Sequence, residues 1–503
     1  MTGAVDVRSL RRELRAGAAG PRRTVGEILT DVTYAAVCVA LAAVLLLGVA
    51  GAVRDALLTA ATEGQPFASG LVRTVLVASL ATLTGWAALR LGPVSVPPHV
   101  AQWWLPLPVR RRGVLVPACL RAALVATVVC AVATVVVVAT TLDVVTTTSV
   151  LVALVTGAEV GSVTVSLAGL LQVGGRVPGG LLTATEVLVG AVPAVGAVLL
   201  LLAPRTMMGV DDAAWWTDAA WPALTVGAVV CAGLLALWAS RLGRVGAATL
   251  TSASASVGHA SGATLSLDTR ELGRAMSRER SGSRRSATSF SAVRGPRTAV
   301  VASEGVDLLR DPGALARTVA AGCAGLVAQQ VPVLGGGPGL AVVLVTVGLC
   351  AAAVGARGAR TAVVVPALDA VLPLGSRATR RARCVVPGLT ATLAVSIMLS
   401  AHVVGDAAWV LLTGSASVAF GAAAVRGAYR PLPDWSSPLL ATPFGAVSSS
   451  AVSTLLRGPD LAVLCSLPSA VALVTGAPTW GLVVVQVLLA GGAVVVAGRS
   501  AAR

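Results

Sequence analysis

The chain has 503 residues, of which 56% are hydrophobic and only 12% are charged. Soluble domains carry about 25% charged residues, so this composition excludes an ordinary soluble protein and indicates an integral membrane protein. All 38 basic residues are Arg and the net charge is +16. Because the sequence contains no Lys, a P-loop nucleotide-binding site in this chain is excluded.

Twelve apolar stretches approach the ~20 residues that a membrane-spanning helix needs. We predict spans at 33–52, 71–91, 117–140, 150–171, 182–202, 221–240, 316–333, 340–354, 385–404, 407–425, 461–475 and 480–497. The predicted fold is therefore an all-α integral membrane protein, with about 12 transmembrane helices in two parallel six-helix repeats.

The Arg residues determine the predicted orientation, because cytoplasmic loops of membrane proteins are enriched in basic residues. With the N-terminus inside, all Arg except Arg54, Arg73 and Arg205 fall on the cytoplasmic side or at its interface. We therefore predict that both termini are cytoplasmic.

Four parts follow along the chain. They are a basic amphipathic, elbow-like segment (1–32), a first six-span half (33–240), a Ser/Arg-rich cytoplasmic linker (241–315) and a second six-span half (316–503). The linker is too polar to fold alone, and its end at 304–311 is predicted to be a second elbow-like helix on the inner leaflet. A disordered basic tail is the alternative for the N-terminal segment.

Two loops at equivalent positions of the halves share a pattern, which is the basis for the predicted repeat. Each combines Leu-Pro-Leu, a cluster of Arg and a Val-Pro pair at the next span. Trp beside Arg is typical of a short surface helix that contacts a cytoplasmic partner, although both residue types also serve simply as membrane anchors. The candidate docking residues are Trp103, Trp104, Leu105, Arg110, Arg111 and Arg112 in the first loop, and Leu372, Arg377, Arg380, Arg381 and Arg383 in the second.

Glu159 lies near the middle of the fourth predicted span, where an acidic residue costs about 3 kcal/mol on insertion scales. We predict a proton relay or a polar contact to a transported molecule; a structural carboxyl group is the alternative. Glu186, nearer the interface, is a weaker candidate for the same path. The sequence shows no metal-ligand spacing and no catalytic motif, so no enzymatic, cofactor or metal site is predicted.

The chain resembles the permease subunits of type-2 ABC exporters, especially large actinobacterial membrane proteins of that kind. The resemblance rests on the loop at 104–117, the basic segment at 7–15 and the six-span unit. It implies export of a hydrophobic or amphipathic substrate across a bacterial plasma membrane. It also implies that residues 103–112 and 372–383 couple to a separate ATPase dimer, which binds the ATP and Mg. The outer hairpin between spans five and six that many members carry is reduced here to 203–220.

Two other classes remain open. A proton-coupled secondary transporter of the major-facilitator kind also has 6+6 spans, and Glu159 favours it. However, the acidic residue expected in its second loop is missing between Arg90 and Pro117. A non-transporting membrane scaffold is the third class. Because Arg is spread over short loops rather than gathered on one polar face, no nucleic acid is expected as a partner. The expected partners are membrane lipid, a small hydrophobic or amphipathic substrate and ABC ATPase subunits.

Overall fold

A computed structural model describes residues 69–96, 111–142, 144–175, 179–202, 216–266, 293–329, 332–431, 434, 436–442 and 445–499, with a few positions between 26 and 59. The described residues fall into two compact units. Unit 1 lies within Met1–Thr185 and Arg205–Arg278, and unit 2 within Glu186–Pro204 and Glu279–Arg503.

Unit 1 is organised around one helix that contacts its neighbours through glycines. Its helices are α1 (Ser69–Leu91), α2 (Arg111–Thr141), α3 (Thr147–Val173), the start of α4 (Gly179–Leu202), α5 (Trp221–Arg241) and α6 (Ala247–Ser266). Gly157 and Gly161 of α3 lie so close to α2 that a Cβ at either would overlap the α2 backbone. Trp238 of α5 packs on Gly169 of α3. Small residues four apart allow this close approach of helix backbones.

One end of unit 1 holds two of the three Arg residues that are predicted to lie outside. Arg73, which is 2% exposed, donates to Thr141 Oγ1 and to the Thr141 carbonyl oxygen, both at 3.0 Å. Arg54 donates to two further carbonyl oxygens at the end of α2, each at 3.2 Å. The last carbonyl groups of a helix lack partners within the helix and attract cations. These two Arg residues therefore cap α2, which explains their place outside the predicted pattern.

The other end of unit 1 contains a helix within the predicted linker. The Gln172 amide pairs with Val94 through two bonds of 2.9 Å, one accepted and one donated. Ser254 of α6 donates to the Val96 carbonyl oxygen at 2.6 Å, and Leu250 of α6 is fully buried. Part of the linker that was predicted to be too polar to fold alone is thus helical in α6, because its small and apolar residues pack on unit 1.

Unit 2 contains the remaining elements. They are the rest of α4, α7 (Pro296–Leu309), α8 (Pro312–Gln329), α9 (Pro332–Gly335), α10 (Gly337–Gly355), α11 (Arg357–Val364), α12 (Ala367–Ala370), α13 (Ser376–Ala382), α14 (Val385–Met398), α15 (Ser400–Val403), α16 (Ala407–Ala428), α17 (Ser449–Leu456), α18 (Pro459–Thr475) and α19 (Trp480–Arg499). A short antiparallel hairpin, β1 (Leu439–Thr442) and β2 (Gly445–Ser448), precedes α17. The core centres on α16, whose Phe420 is fully buried and packs on Gly348 of α10.

A buried side-chain amide is inserted into the backbone of α18. Pro468 interrupts this helix and removes one backbone donor. The next residue, Ser469, donates its N–H to Gln486 Oε1 of α19 at 3.2 Å, and Gln486 Nε2 donates to the Cys465 carbonyl oxygen. The Gln486 amide therefore replaces a helical hydrogen bond beside the proline.

Among the described residues, nine helical segments are long and apolar enough to cross a membrane. They are α1, α2, α3, α4, α5, α10, α16, α19 and the stretch Val452–Thr475, which joins the end of α17 to α18. The chain is thus a helical, multi-pass membrane protein. The first predicted span, 33–52, lies outside the described residues except for isolated positions. The predicted spans 316–333 and 385–404 correspond to α8 and α14, which are less suited to crossing a membrane. Arg317 and Gln329 make α8 less apolar, and α14 has 14 residues, or about 21 Å at 1.5 Å per residue.

Candidate functional site

The second Arg loop contains α13, and its Arg residues divide into an inner and an outer pair. Arg380 and Arg383 are each 7% exposed, whereas Arg377 and Arg381 are exposed. The Arg380 guanidinium carbon lies 4.6 Å from the centroid of the Tyr429 ring, at the end of α16. Leu372, in the turn before α13, is half-buried. The cluster of like charges seen in the sequence is therefore not one surface.

Arg383 joins two carboxylates from separate elements. Its guanidinium forms an ion pair with Glu304 of α7 and lies 2.5 Å from Asp369 Oδ1 of α12. The Tyr429 hydroxyl donates to Asp369 Oδ2 at 2.7 Å. We call Glu304, Asp369, Arg380, Arg383 and Tyr429 the Arg383 cluster. It holds α13 against α7, α12 and the end of α16.

Burial dominates the acid–base properties of the Arg383 cluster. It raises the pKa of Glu304 to about 7, although the Arg383 guanidinium acts to lower that pKa. Burial also raises the pKa of Tyr429, and the hydrogen bond that its hydroxyl donates to Asp369 acts in the same direction. Gly358 of α11 lies against the Glu304 carboxylate, where a Cβ would overlap it. These polar groups therefore connect α7, α12, α13 and the end of α16 within unit 2.

Glu186 of α4 belongs to a second set of ion pairs, which the sequence analysis did not foresee. This carboxylate is 4% exposed and lies 3.7 Å from the Arg317 guanidinium of α8. Arg317 also lies 3.8 Å from Asp311, which pairs in turn with Arg357 of α11. These contacts place Glu186 in unit 2, whereas the predicted first half includes all of α4. The sequence signal for part of this set was Asp311, which stands directly before Pro312 at the start of a helix.

The first Arg loop is described only at its end. Arg111 donates to the Val245 carbonyl oxygen at 3.4 Å, and Arg112 is exposed at the start of α2. The other four predicted docking residues of this loop lie outside the described residues, namely Trp103, Trp104, Leu105 and Arg110. The elbow-like segment 1–32 also lies outside them, except for isolated positions. The second elbow-like helix corresponds to α7, which begins earlier than predicted.

Glu159 of α3 is half-buried and lies over Gly227 of α5. Its Oε1 is buried and has no hydrogen-bond partner among the described residues. The Cys231 thiol, one turn further along α5, lies 3.7 Å from the Glu159 carbonyl oxygen. The two carboxylates that the sequence assigns to one path therefore differ in their surroundings, because Glu186 has an Arg partner and Glu159 has none within the described ranges.

No group of three or more His, Cys, Asp or Glu side chains in the described part of the chain is placed to hold a metal ion. In the comparison with protein families, the model of a family described as "Family of unknown function (DUF6297)" matches residues 66–438. The match begins shortly before α1 and ends directly before β1, so it includes described helices from both units. No curated protein and no solved structure matches the chain.

Proposed function

This chain belongs to the family of unknown function DUF6297, and we propose that it is the membrane-spanning permease component of an ABC exporter. In this proposal, two parallel six-span halves lie in a bacterial plasma membrane with both termini cytoplasmic. Separate ATPase subunits, which bind ATP and Mg, dock on the cytoplasmic loops. Their hydrolysis of ATP drives export of a hydrophobic or amphipathic substrate.

The manner in which α13 is held is the main support for the docking role. The Arg383 cluster fixes the inner side of this short helix to α7, α12 and α16, while Arg377 and Arg381 remain exposed. A helix joined to its neighbours by buried ion pairs moves together with them. A push on α13 from a partner would therefore reach α14 and α16, as coupling to transport requires.

The same contacts narrow the set of docking residues. Arg380 and Arg383 are engaged inside unit 2, so they position α13 instead of meeting a partner. Arg377 and Arg381, with Arg112 in unit 1, are the exposed docking candidates whose guanidinium groups have no ion pair with another described residue. Guanidinium groups at the rim of an interface pair with acidic surfaces and set the rate and register of docking.

Purification of the tagged protein from its native membrane in mild detergent tests this function. We expect an ABC ATPase to co-purify with the wild type and to be reduced several-fold by the double substitution Arg377→Ser/Arg381→Ser. The matched control is Arg241→Ser/Arg244→Ser, which removes two exposed Arg residues from the end of α5 and should retain the ATPase. Equal recovery with both double variants would refute the docking role.

A proton-coupled secondary transporter is the second candidate, and the unpaired carboxylate of Glu159 favours it. Such a transporter needs no ATPase. If the purified wild type carries no ATPase, and if the protein alone in liposomes moves protons together with a substrate, this function replaces the exporter.

A further inference from the structure

The direction in which Glu159 points follows from the packing of α3 on α2. Gly157 and Gly161 face α2 at very short range. Glu159 is two residues from each, which places it about 200° around the helix from either glycine. The carboxylate is therefore held on the side of α3 away from α2, where it lies over Gly227 of α5.

Gly227 leaves room for the carboxylate. A Cβ at this position would overlap Glu159 Oε2 and would also crowd the other carboxylate atoms. The carboxylate thus occupies the space that a side chain on α5 would fill. Its Oε1 is buried and receives no hydrogen bond, and no ion pair of Glu159 occurs among the described residues. An ionised carboxylate in such a place requires a cation or a hydrogen-bond donor from outside the described structure.

Exposed aliphatic side chains flank Gly227 on α5. On α5, Val226 next to Gly227 is 65% exposed, and Val230 one turn further on is 49% exposed. A carboxylate that lies over Gly227, with exposed aliphatic side chains beside this glycine on α5, matches a ligand with a cationic head and a hydrocarbon tail. The uncompensated Oε1 additionally calls for an N–H donor in that head.

Glu186 shows how the chain treats a carboxylate that it pairs itself. Arg317 lies 3.7 Å from Glu186, and Asp311 and Arg357 continue the same set of charges. Glu186 is also more deeply buried than Glu159. A mid-span carboxylate that only had to be tolerated would have similar partners. Both carboxylates lie over a glycine of a neighbouring helix, Gly313 for Glu186 and Gly227 for Glu159, so the ionic partners are what distinguishes them.

We propose that Glu159 and Gly227 form a site in unit 1 for the head group of an alkylammonium amphiphile whose tail lies along α3 and α5 in the bilayer. This inference rests on the proposed export function and names its substrate class as hydrophobic amines. The bond is a charge-assisted hydrogen bond from the ammonium N–H to the Glu159 carboxylate. Protons compete with the amine for the same oxygen atoms.

The first experiment uses the unsubstituted protein in phosphatidylcholine nanodiscs. Dicyclohexylcarbodiimide modifies protonated carboxyl groups that are reached from the membrane, and the modified residue is located by mass spectrometry. We expect modification at Glu159 that N,N-dimethyldodecylamine prevents and dodecanol, the neutral analogue of equal chain length, does not. Absence of modification at Glu159, or equal protection by the alcohol, would overturn the proposal.

The second experiment measures binding of radiolabelled N,N-dimethyldodecylamine to the same nanodiscs, with empty nanodiscs subtracted. We expect Glu159→Gln to weaken binding about tenfold or more, as loss of a hydrogen bond to a charged group implies. Gly227→Ala should also weaken it, because the methyl group displaces the carboxylate. The control Asp434→Asn removes one negative charge from an exposed loop and should bind as the wild type does.

Unchanged binding by Glu159→Gln would overturn the proposal. Neither experiment contains an ATPase, so the two proposals fail separately. Amine binding that depends on Glu159 in a protein without a co-purifying ATPase would leave the site intact and refute the exporter. A co-purifying ATPase with no protection and no binding would do the reverse.

Discussion

Buried polar groups at α13 and α18 of unit 2 differ from those on α3 of unit 1. In unit 2, Arg383 joins two carboxylates, and Gln486 meets both a donor and an acceptor of α18. In unit 1, buried polar atoms of Thr156, Glu159 and Ser166 on α3 have no hydrogen-bond partner among the described residues. Groups paired inside the chain build a stable frame, whereas unpaired groups need water or a ligand. The difference is one between these helices and not between the whole units, because Thr413 and His402 of unit 2 also have buried polar atoms without a hydrogen-bond partner among the described residues.

The burial of single helices shows the same contrast. In the most apolar stretch of α16, 67% of the residues are buried, against 11% in α5. A helix at the centre of a packed bundle is fixed by its neighbours on all sides. A helix such as α5 contacts its unit along one narrow face and shows the rest of its surface to lipid or to another partner.

The largest effect that we expect from a single substitution is on the Arg383 cluster. Arg383→Ala leaves Glu304 and Asp369 with an uncompensated buried charge, which costs about 3–5 kcal/mol. Arg377→Ala, on the exposed side of the same loop, should change stability by no more than about 0.5 kcal/mol. Unfolding by denaturant in mild detergent, followed by Trp fluorescence, measures both. Equal stability of the two variants would show that the Arg383 cluster does not stabilise the packing of α13.

The raised pKa of Glu304 predicts a pH dependence in unit 2. Its folded pKa of about 7 exceeds the ordinary value of 4.5, so the folded protein binds this proton more tightly than the unfolded chain does. The contribution of Glu304 is thus fully present below about pH 4.5 and is lost as the pH rises through 7, by up to about 3 kcal/mol. The free energy of unfolding should be larger at pH 5 than at pH 8, and this difference should be smaller in Glu304→Gln. An unchanged difference in the variant would assign the effect to other groups.

The smallest predicted effect compares two serines, one in each unit. The Ser469 hydroxyl donates to Gln486 at 2.9 Å, whereas Ser166 is buried without a partner within the described structure. Ser469→Ala should therefore cost about 1 kcal/mol, and Ser166→Ala should be close to neutral. The same unfolding assay compares them. A large loss with Ser166→Ala would mean that its hydroxyl is bonded through water, and the contrast between α3 and α18 would weaken.

Much of the helical framework is visible in the sequence, because long apolar runs have few alternatives in a bilayer. Glu159 is visible for the same reason, as a carboxylate within such a run. The inward orientation of Arg380 and Arg383 cannot be read from the sequence. Their partners Tyr429 and Glu304 are far away in the chain, so an Arg that binds inside and one that faces outward look alike in the sequence.

Irregular helices were also beyond sequence reasoning. The predicted span 385–404 is interrupted at Leu399, where α14 ends and the short α15 begins. No Gly or Pro marks this position. Here Gln329 of α8 donates to the Met398 carbonyl oxygen at 2.5 Å. A tertiary contact thus lies at the break, and hydropathy alone does not report such contacts.

The amide inserted beside Pro468 has a consequence for the synthesis of the protein. Gln486 is a polar group in an otherwise apolar helix, and α19 alone offers it no partner in the bilayer. The preceding helix α18, which leaves the ribosome first, already carries the donor and acceptor that the amide needs. Gly476, with φ of 71°, forms the turn between them. The last helix is thus matched to a membrane that already contains its neighbour.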